Sequence, residues 1–160
     1  MARQNSTADD TSETVDGEGL VFEQLDGLLG YRLRRAQGAM HRDFMAAVSS
    51  LDLTQKQAAT LWLINGNPGV AQVSVAAALG MDRATMMSIV DRLDERGLVI
   101  RKRSTADRRR QGLYLTPVGQ NTLRRAKARI AKHEERFKSL FTAAELEALL
   151  AALQKLQDAA

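Results

Sequence analysis

Apolar residues recur every three or four positions between Leu20 and Ser49, which is the pattern of a long helix with one buried face. Three glycines in this stretch lower its intrinsic helix stability, so packing must hold the helix together. The pattern predicts a first amphipathic helix over residues 20–49, with the apolar positions Phe22, Leu25, Leu29, Leu33, Ala36, Met40 and Phe44 on its inner face.

Capping signals mark three more helices in the middle of the chain. Thr54, with Gln57 three residues later, has the form of a capping box and opens a second helix. A short third helix is predicted over residues 72–79, and Asp82 caps a fourth that reaches Arg96. Two helices joined by so short a turn form a helix-turn-helix.

Two segments rich in strand-forming residues directly follow the fourth helix. Residues 98–103 and 111–115 read as strands around a polar tip of seven residues, which predicts a hairpin. The order of helix, turn, helix and hairpin is that of a winged helix. The predicted fold class is therefore mainly α with a small β-hairpin wing.

Two helices are predicted to complete the chain. Thr116 and Pro117 supply an N-cap and a proline at the first helical position, and that helix runs to about Ser139. Thr142 and Glu145 form a second capping box before the last helix. One stripe of this helix is apolar and favours a partner surface, either within the chain or on a second copy: Leu146, Leu149, Leu150, Leu153 and Leu156.

Charge is distributed unevenly along the 160 residues. The first 30 residues carry seven acids and one base, whereas the remaining 130 carry twenty-two bases and twelve acids, so the overall charge of +4 hides a basic domain of about +10. Residues 1–19 are polar and acidic and predict a disordered tail. A basic domain favours phosphate-bearing partners, although a solvated basic face is the alternative.

The composition also points to a compartment. The chain has no cysteine, no secretory signal pattern and no apolar run near the ~20 residues that a membrane span needs. These features predict a soluble, cytoplasmic protein without membrane partners.

The fourth helix is the candidate recognition helix, because such a helix presents its N-terminal residues to base edges in the major groove. Spacing places Met87, Val90 and Leu93 on its inner face. Arginine pairs with guanine, hydroxyl groups reach bases or phosphates, and methyl groups contact thymine. An ordinary surface helix is the alternative. The predicted DNA-facing residues are Arg83, Ala84, Thr85, Met86, Ser88 and Arg92.

The hairpin tip carries three consecutive arginines, Arg108, Arg109 and Arg110. A hairpin beside a major-groove helix reaches the adjacent minor groove, whose negative potential attracts arginine. Asp107 has the wrong charge for DNA and is predicted to orient the tip by pairing with a neighbouring arginine. A solvated loop is the alternative.

The strings "VDRLDERGLVIR" and "DRRRQGLYLTPVG" resemble the MarR family of bacterial transcriptional regulators, in order and separation. The resemblance covers about residues 25–158 and departs at Asp94, where glutamate is usual, and at Arg110, where a small residue is common. It implies an interlocked α-helical homodimer, with dimerisation helices over residues 20–49 and 117–158 and a DNA-binding lobe over residues 54–116. It also implies a repressor of double-stranded DNA with a pseudo-palindromic operator on the order of 20 base pairs.

The resemblance further implies a small-molecule inducer. Arg32, Arg34 and Arg35, beside Tyr31 and with Trp62 on a nearby helix, are the residues suited to a carboxylate or phosphate with an aromatic group alongside. The "LGYRLRRA" stretch is similar to members that control breakdown of aromatic acids, so the predicted inducer is an aromatic acid or its acyl-CoA thioester. A solvated helix face is the alternative.

Nothing in the sequence favours an enzyme. The chain lacks a cysteine nucleophile, histidines at metal-ligand spacing, a glycine-rich phosphate loop and a G-x-S-x-G motif, so neither a metal nor a cofactor is expected. Two alternatives to a ligand-released regulator stay open. One is a winged-helix module that binds only proteins, and the other is a constitutive DNA-binding protein without an inducer.

Overall fold

The computed structural model describes residue 22, residues 24–103 and residues 111–159, with the side chain of residue 103 left aside. The described residues fall into two compact units, which divide between Ala36 and Gln37. The predicted acidic tail, residues 1–19, and the four predicted tip residues, Asp107 and Arg108 to Arg110, lie outside the described residues.

The described residues form six α-helices and one pair of strands in the predicted order. The helices are α1 (Leu29–Val48), α2 (Gln55–Gly66), α3 (Gln72–Ala78), α4 (Arg83–Glu95), α5 (Pro117–Lys138) and α6 (Ala143–Asp158), and the strands are β1 (Val99–Arg103) and β2 (Gln111–Leu115) between α4 and α5.

The predicted start of the first helix is wrong. Residues Leu25–Gly27 form a short 3-10 helix, and Leu28 is extended with a ψ of 123°, so the α-helical hydrogen-bond ladder begins only at Leu29. A second 3-10 turn, Ser49–Leu51, closes the other end. Glycine at position 27 offers no side chain to favour the helical form, which makes the break inexpensive.

The predicted caps are confirmed. The side chains of Thr54, Asp82, Thr116 and Thr142 each accept a hydrogen bond from the backbone amide three residues later. The boxes at Thr54 and Thr142 are complete, because the N3 side chain also accepts from the cap amide. These local bonds set where four of the six helices begin.

The helix-turn-helix and the hairpin are confirmed as well. The chain turns by 116° between α3 and α4, within the range typical of this motif. β1 and β2 are antiparallel, with Val99 opposite Leu115. Over the described ranges no single helix is long and apolar enough to cross a membrane; by length and composition only the bent pair α3 and α4 passes that test.

The core of the second unit lies where α2, α4, the hairpin and α5 meet. It buries side chains from each of these elements, so the helix-turn-helix and the hairpin share one packed interior. Among the most deeply buried are Leu61, Ile64, Met86, Leu93, Val99, Leu113 and Leu123.

Candidate nucleic-acid interface

Helix α4 presents a polar face to solvent at its N-terminal end. Asp82 fixes the first turn, since its carboxylate accepts from the Thr85 amide at 2.8 Å and from the Thr85 hydroxyl at 2.6 Å. These two bonds hold the pKa of Asp82 below its usual range, the hydroxyl bond contributing most. Arg83, Ala84 and Ser88 are exposed on this face.

The inner face of α4 differs from the prediction by one residue. Met86 is 0% exposed and packs in the core, whereas Met87 is 54% exposed. The predicted thymine contact by Met86 is therefore wrong, because its side chain cannot reach DNA from the interior. The prediction that Met87 faces inward is also wrong. Val90 and Leu93 are buried as predicted.

Arg92 and Thr85 complete the predicted set. Arg92 is exposed, one helical turn beyond Ser88. Thr85 is half-buried, and its hydroxyl hydrogen is committed to Asp82. Four of the six predicted residues are thus exposed on α4, one is half-buried and one is in the core.

A salt bridge that the sequence pattern did not predict ties α4 to the hairpin. Arg101 on β1 donates to Asp94 at 2.8 Å and also to Asp91. The guanidinium is only partly exposed, so it holds both carboxylates of α4 in one geometry. This contact fixes the direction in which the hairpin leaves α4.

Strand β2 is held by a close backbone approach of residues 69 and 70. Gly69 donates to the Leu113 carbonyl at 2.8 Å, and Leu113 donates to the Val70 carbonyl at 2.9 Å. A Cβ on Gly112 would lie 2.6 Å from the Gly69 carbonyl oxygen, so only glycine fits there. Backbone contacts thus anchor β2 on the turn that follows α2.

A cavity of about 830 Å³ opens between α1, the start of α2 and α4. Its wall includes Ala84, Thr85, Ser88 and Arg92, which are four of the predicted DNA-facing residues. No local sequence pattern predicts this cavity, because three separated segments build its wall. The other lining residues are Gln37, His41, Thr54, Gln55, Lys56, Gln57 and Ile89.

Three of the predicted effector residues contact their neighbours in the first unit. Arg32 donates to the Asp26 carbonyl at 2.6 Å. Arg35 donates to the Tyr31 hydroxyl at 3.5 Å, and its guanidinium carbon lies 5.9 Å from the centre of the Tyr31 ring. Arg34 is exposed.

Trp62 lies on α2 in the second unit and is partly exposed. The Lys127 ammonium group lies 4.5 Å from the centre of its ring, within cation–π distance. A ligand that stacked on this face of the indole would have to displace Lys127.

Asp43 joins α1 to α5. It accepts a hydrogen bond from His133 Nδ1 at 2.7 Å and another from Arg136. His133 is buried, with the rings of Phe44 and Phe137 against it at 5.7 and 5.1 Å. The His133 bond, and then the charge of Arg136, lower the pKa of Asp43 against the opposing effect of burial. No cluster of three potential metal ligands occurs among the residues that the structure covers.

The lowered pKa of Asp43 predicts a loss of stability in acid. A carboxylate whose pKa is lower in the folded than in the unfolded chain stabilises fully above about pH 4, and the effect is lost as pH falls through the folded pKa. We expect the melting temperature of Asp43→Asn to fall less steeply than that of the native chain between pH 6 and pH 3. Asp158→Asn, at the end of α6, is the control. Parallel curves for the native chain and Asp43→Asn would refute a role for Asp43.

Three comparisons with known proteins bear on this surface. The model of the MarR family matches residues 51–110. A transcriptional regulatory protein for the hcr operon of Thauera aromatica is 33% identical over 138 residues, which cover 86% of this chain and 83% of that protein.

Two solved structures of the transcriptional repressor CouR are also similar. The structure bound to a 23-mer DNA duplex has a TM-score of 0.81 at 39% identity, covering 88% of this chain and 99% of that one. The structure bound to p-coumaroyl-CoA has a TM-score of 0.81 at 38% identity, covering 86% and 97%. The likeness therefore extends over most of this chain and nearly all of each CouR chain.

Proposed function

This chain belongs to the MarR family of transcriptional regulators, and from that premise we propose that it is a ligand-responsive repressor that binds operator DNA as a homodimer. A small aromatic acid or its coenzyme A thioester releases it. The DNA-binding lobe is residues 54–116, with α4 as the recognition helix.

The observation that carries this proposal is that α4 has a buried apolar face and exposed polar residues. Met86, Val90 and Leu93 anchor one face in the core, while Arg83, at the capped turn, and Ser88, further along the helix, are exposed. A helix anchored in this way can enter a major groove without unfolding its own support. The DNA complex of the similar repressor CouR supports the same use of the fold.

The wing contacts are part of the same proposal. Arg108, Arg109 and Arg110 supply positive charge for the minor groove, and Asp107 orients them. Arg101 on β1 ties the hairpin to Asp91 and Asp94 on α4, which supports a fixed distance between the major groove that α4 enters and the minor groove that the tip reaches.

Selection from a random 30-base-pair library tests the proposal. We expect enrichment of a pseudo-palindromic sequence that the chain binds with an affinity falling linearly in a plot of log affinity against log salt. Absence of any enriched duplex, with binding instead to acidic proteins, would favour the protein-binding alternative.

The homodimer rests on α6. None of its residues is buried, and Leu149, Leu150 and Leu156 are exposed, as are Leu140 and Phe141 just before the helix. The described part of the chain thus leaves these apolar side chains exposed, and an exposed apolar stripe calls for a partner surface. Equilibrium sedimentation is expected to give the mass of two chains; the mass of one chain at micromolar concentration would contradict the dimer.

We propose that the effector enters the cavity of about 830 Å³ in the second unit. Its volume suits a small aromatic group, and it shares Ala84, Thr85, Ser88 and Arg92 with the DNA-facing side of α4. An occupant there competes with DNA for the same side chains. The p-coumaroyl-CoA complex of CouR supports this class of ligand.

The predicted effector residues outside this cavity stay proposals of their own. Arg32, Arg34 and Arg35 with Tyr31 are suited to bind an anionic group at the first unit. Trp62, with Lys127 on its ring, is suited to bind an aromatic group at the second.

His41 provides a way to separate effector binding from DNA binding. Its Nδ1 lies 3.4 Å from Gln55 Oε1 on the cavity wall, away from α4. We expect His41→Ala to raise the ligand concentration needed for release of DNA about tenfold, which is the effect of one lost hydrogen bond. The DNA affinity measured without ligand should be unchanged. Competition anisotropy measures both quantities. Met45→Ala, on the same helix but outside the cavity, is the control. Release at the native ligand concentration would exclude His41 from the effector site.

A further inference from the structure

Two apolar side chains are exposed together on the side of the helix-turn-helix that carries Arg83. Val73 on α3 is 50% exposed and Met87 on α4 is 54% exposed. They line one groove of about 320 Å³ between the two helices. The groove is otherwise lined by Gln72, Ala76, Arg83 and Met86.

The groove has an apolar floor and a charged rim. Ala76 and Met86 are buried beneath it, and Arg83 provides a guanidinium at its edge. Met87 is not part of the core, since Met86 already occupies the inner position of α4. An exposed apolar pair beside an arginine matches a base edge that combines a methyl group with hydrogen-bond acceptors.

Helix geometry sets which bases these side chains reach. Arg83 and Met87 are four residues apart, so they lie on the same face of α4 with Cβ atoms about 6 Å from each other. Successive base pairs rise by about 3.4 Å. The two side chains therefore address positions one or two base steps apart.

We propose that Met87, supported by Val73, is a specificity-determining residue that reads the C5-methyl group of thymine. Each operator half-site then contains a guanine for Arg83 and a thymine one or two steps away. The inference rests on the proposed binding of operator DNA and adds to it the identity of one base.

Replacement of thymine by deoxyuridine tests the inference, because it removes the methyl group and nothing else. The probe is the duplex selected from the random library, substituted at one symmetric pair of thymines at a time. For the native chain we expect one such position to weaken binding about fourfold for each methyl group lost. Met87→Ala is expected to bind the thymine and deoxyuridine duplexes with equal affinity.

Val118→Ala is the matched control, since Val118 is an exposed apolar residue on α5 outside the groove. This variant should show the same difference in affinity between the thymine and deoxyuridine duplexes as the native chain. Circular dichroism checks that Met87→Ala keeps the native helix content. The inference is overturned if Met87→Ala still shows the full loss of affinity when that thymine is replaced by deoxyuridine. It is also overturned if no such replacement in the half-site weakens binding by the native chain. Failure of the native chain to bind any selected duplex would instead overturn the proposed function, and this inference with it.

Discussion

Replacing Arg83 with alanine lowers the affinity for the selected operator about ten- to a hundredfold and leaves the fold intact. Arg83 is the first residue of α4, exposed and next to the capped turn. A guanidinium at this place can donate two hydrogen bonds to one guanine. Loss of both bonds costs about 1–3 kcal/mol of binding free energy. Fluorescence anisotropy at fixed salt measures the change, and discrimination at that base pair should fall with it.

Arg125→Ala separates base reading from loss of charge. Arg125 is exposed on α5, which carries none of the predicted base contacts, so its removal tests only the general effect of one positive charge. We expect this variant to stay within about threefold of the native affinity at moderate salt. Equal losses for Arg83→Ala and Arg125→Ala would show that Arg83 acts only through its charge.

Gly119→Ala is expected to destabilise the DNA-binding lobe by about 3 kcal/mol, a fall of roughly 10 °C in melting temperature. A Cβ at position 119 would lie 1.9 Å from the Leu98 carbonyl oxygen and 2.9 Å from the carbonyl carbon. Both are backbone atoms, so no side-chain rotation relieves the clash. The start of α5 and the start of the hairpin must move apart.

The junction has little freedom to adjust. Thr116 donates from its backbone amide to the Leu98 carbonyl at 3.1 Å and from its hydroxyl to the Gly97 carbonyl at 2.6 Å. Its hydroxyl oxygen also accepts from the Gly119 amide. Movement of Gly119 therefore breaks the cap of α5 as well.

Gly66→Ala is the matched control, because a Cβ there meets no atom within 4 Å. This change at the end of α2 is expected to be neutral or to stabilise by up to about 1 kcal/mol. Thermal unfolding compares the two variants. A melting temperature for Gly119→Ala within 2 °C of the native value would contradict the close packing of α5 on the hairpin.

The helix starts could be predicted from the sequence because capping is local. Thr54, Asp82, Thr116 and Thr142 satisfy amides only three residues away, so the residues that determine the boundary are adjacent in the chain. The first helix lacks such a signal at its start, and there the prediction failed by nine residues, from Leu20 to Leu29.

The inner face of α4 shows where a three-residue step misleads. Positions 87, 90 and 93 rotate steadily around a helix of 3.6 residues per turn, whereas positions 86, 89, 90 and 93 stay on one face. The second set is the buried one. The period of 3.6 residues therefore places Met86 on the inner face and Met87 outside it.

The cavity and the bridge at Arg101 could not be predicted in this way. The cavity wall combines three segments that are separated in sequence, and nothing local in α1 indicates that His41 lines the same cavity as Ser88. Arg101 reaches two carboxylates seven and ten residues away, across the turn from α4 into β1. Both features depend on tertiary packing.

Release of the operator complex by ligand tests the central claim most directly. The measurement is the anisotropy of the labelled selected duplex, bound by the native chain at constant salt and titrated with p-coumaroyl-CoA, benzoyl-CoA, their parent acids and free coenzyme A. We predict that at least one thioester or acid returns the signal to that of free DNA, while coenzyme A alone does not. A complex that persists at saturating concentrations of every aromatic compound would contradict a ligand-responsive repressor of this class and identify a constitutive DNA-binding protein.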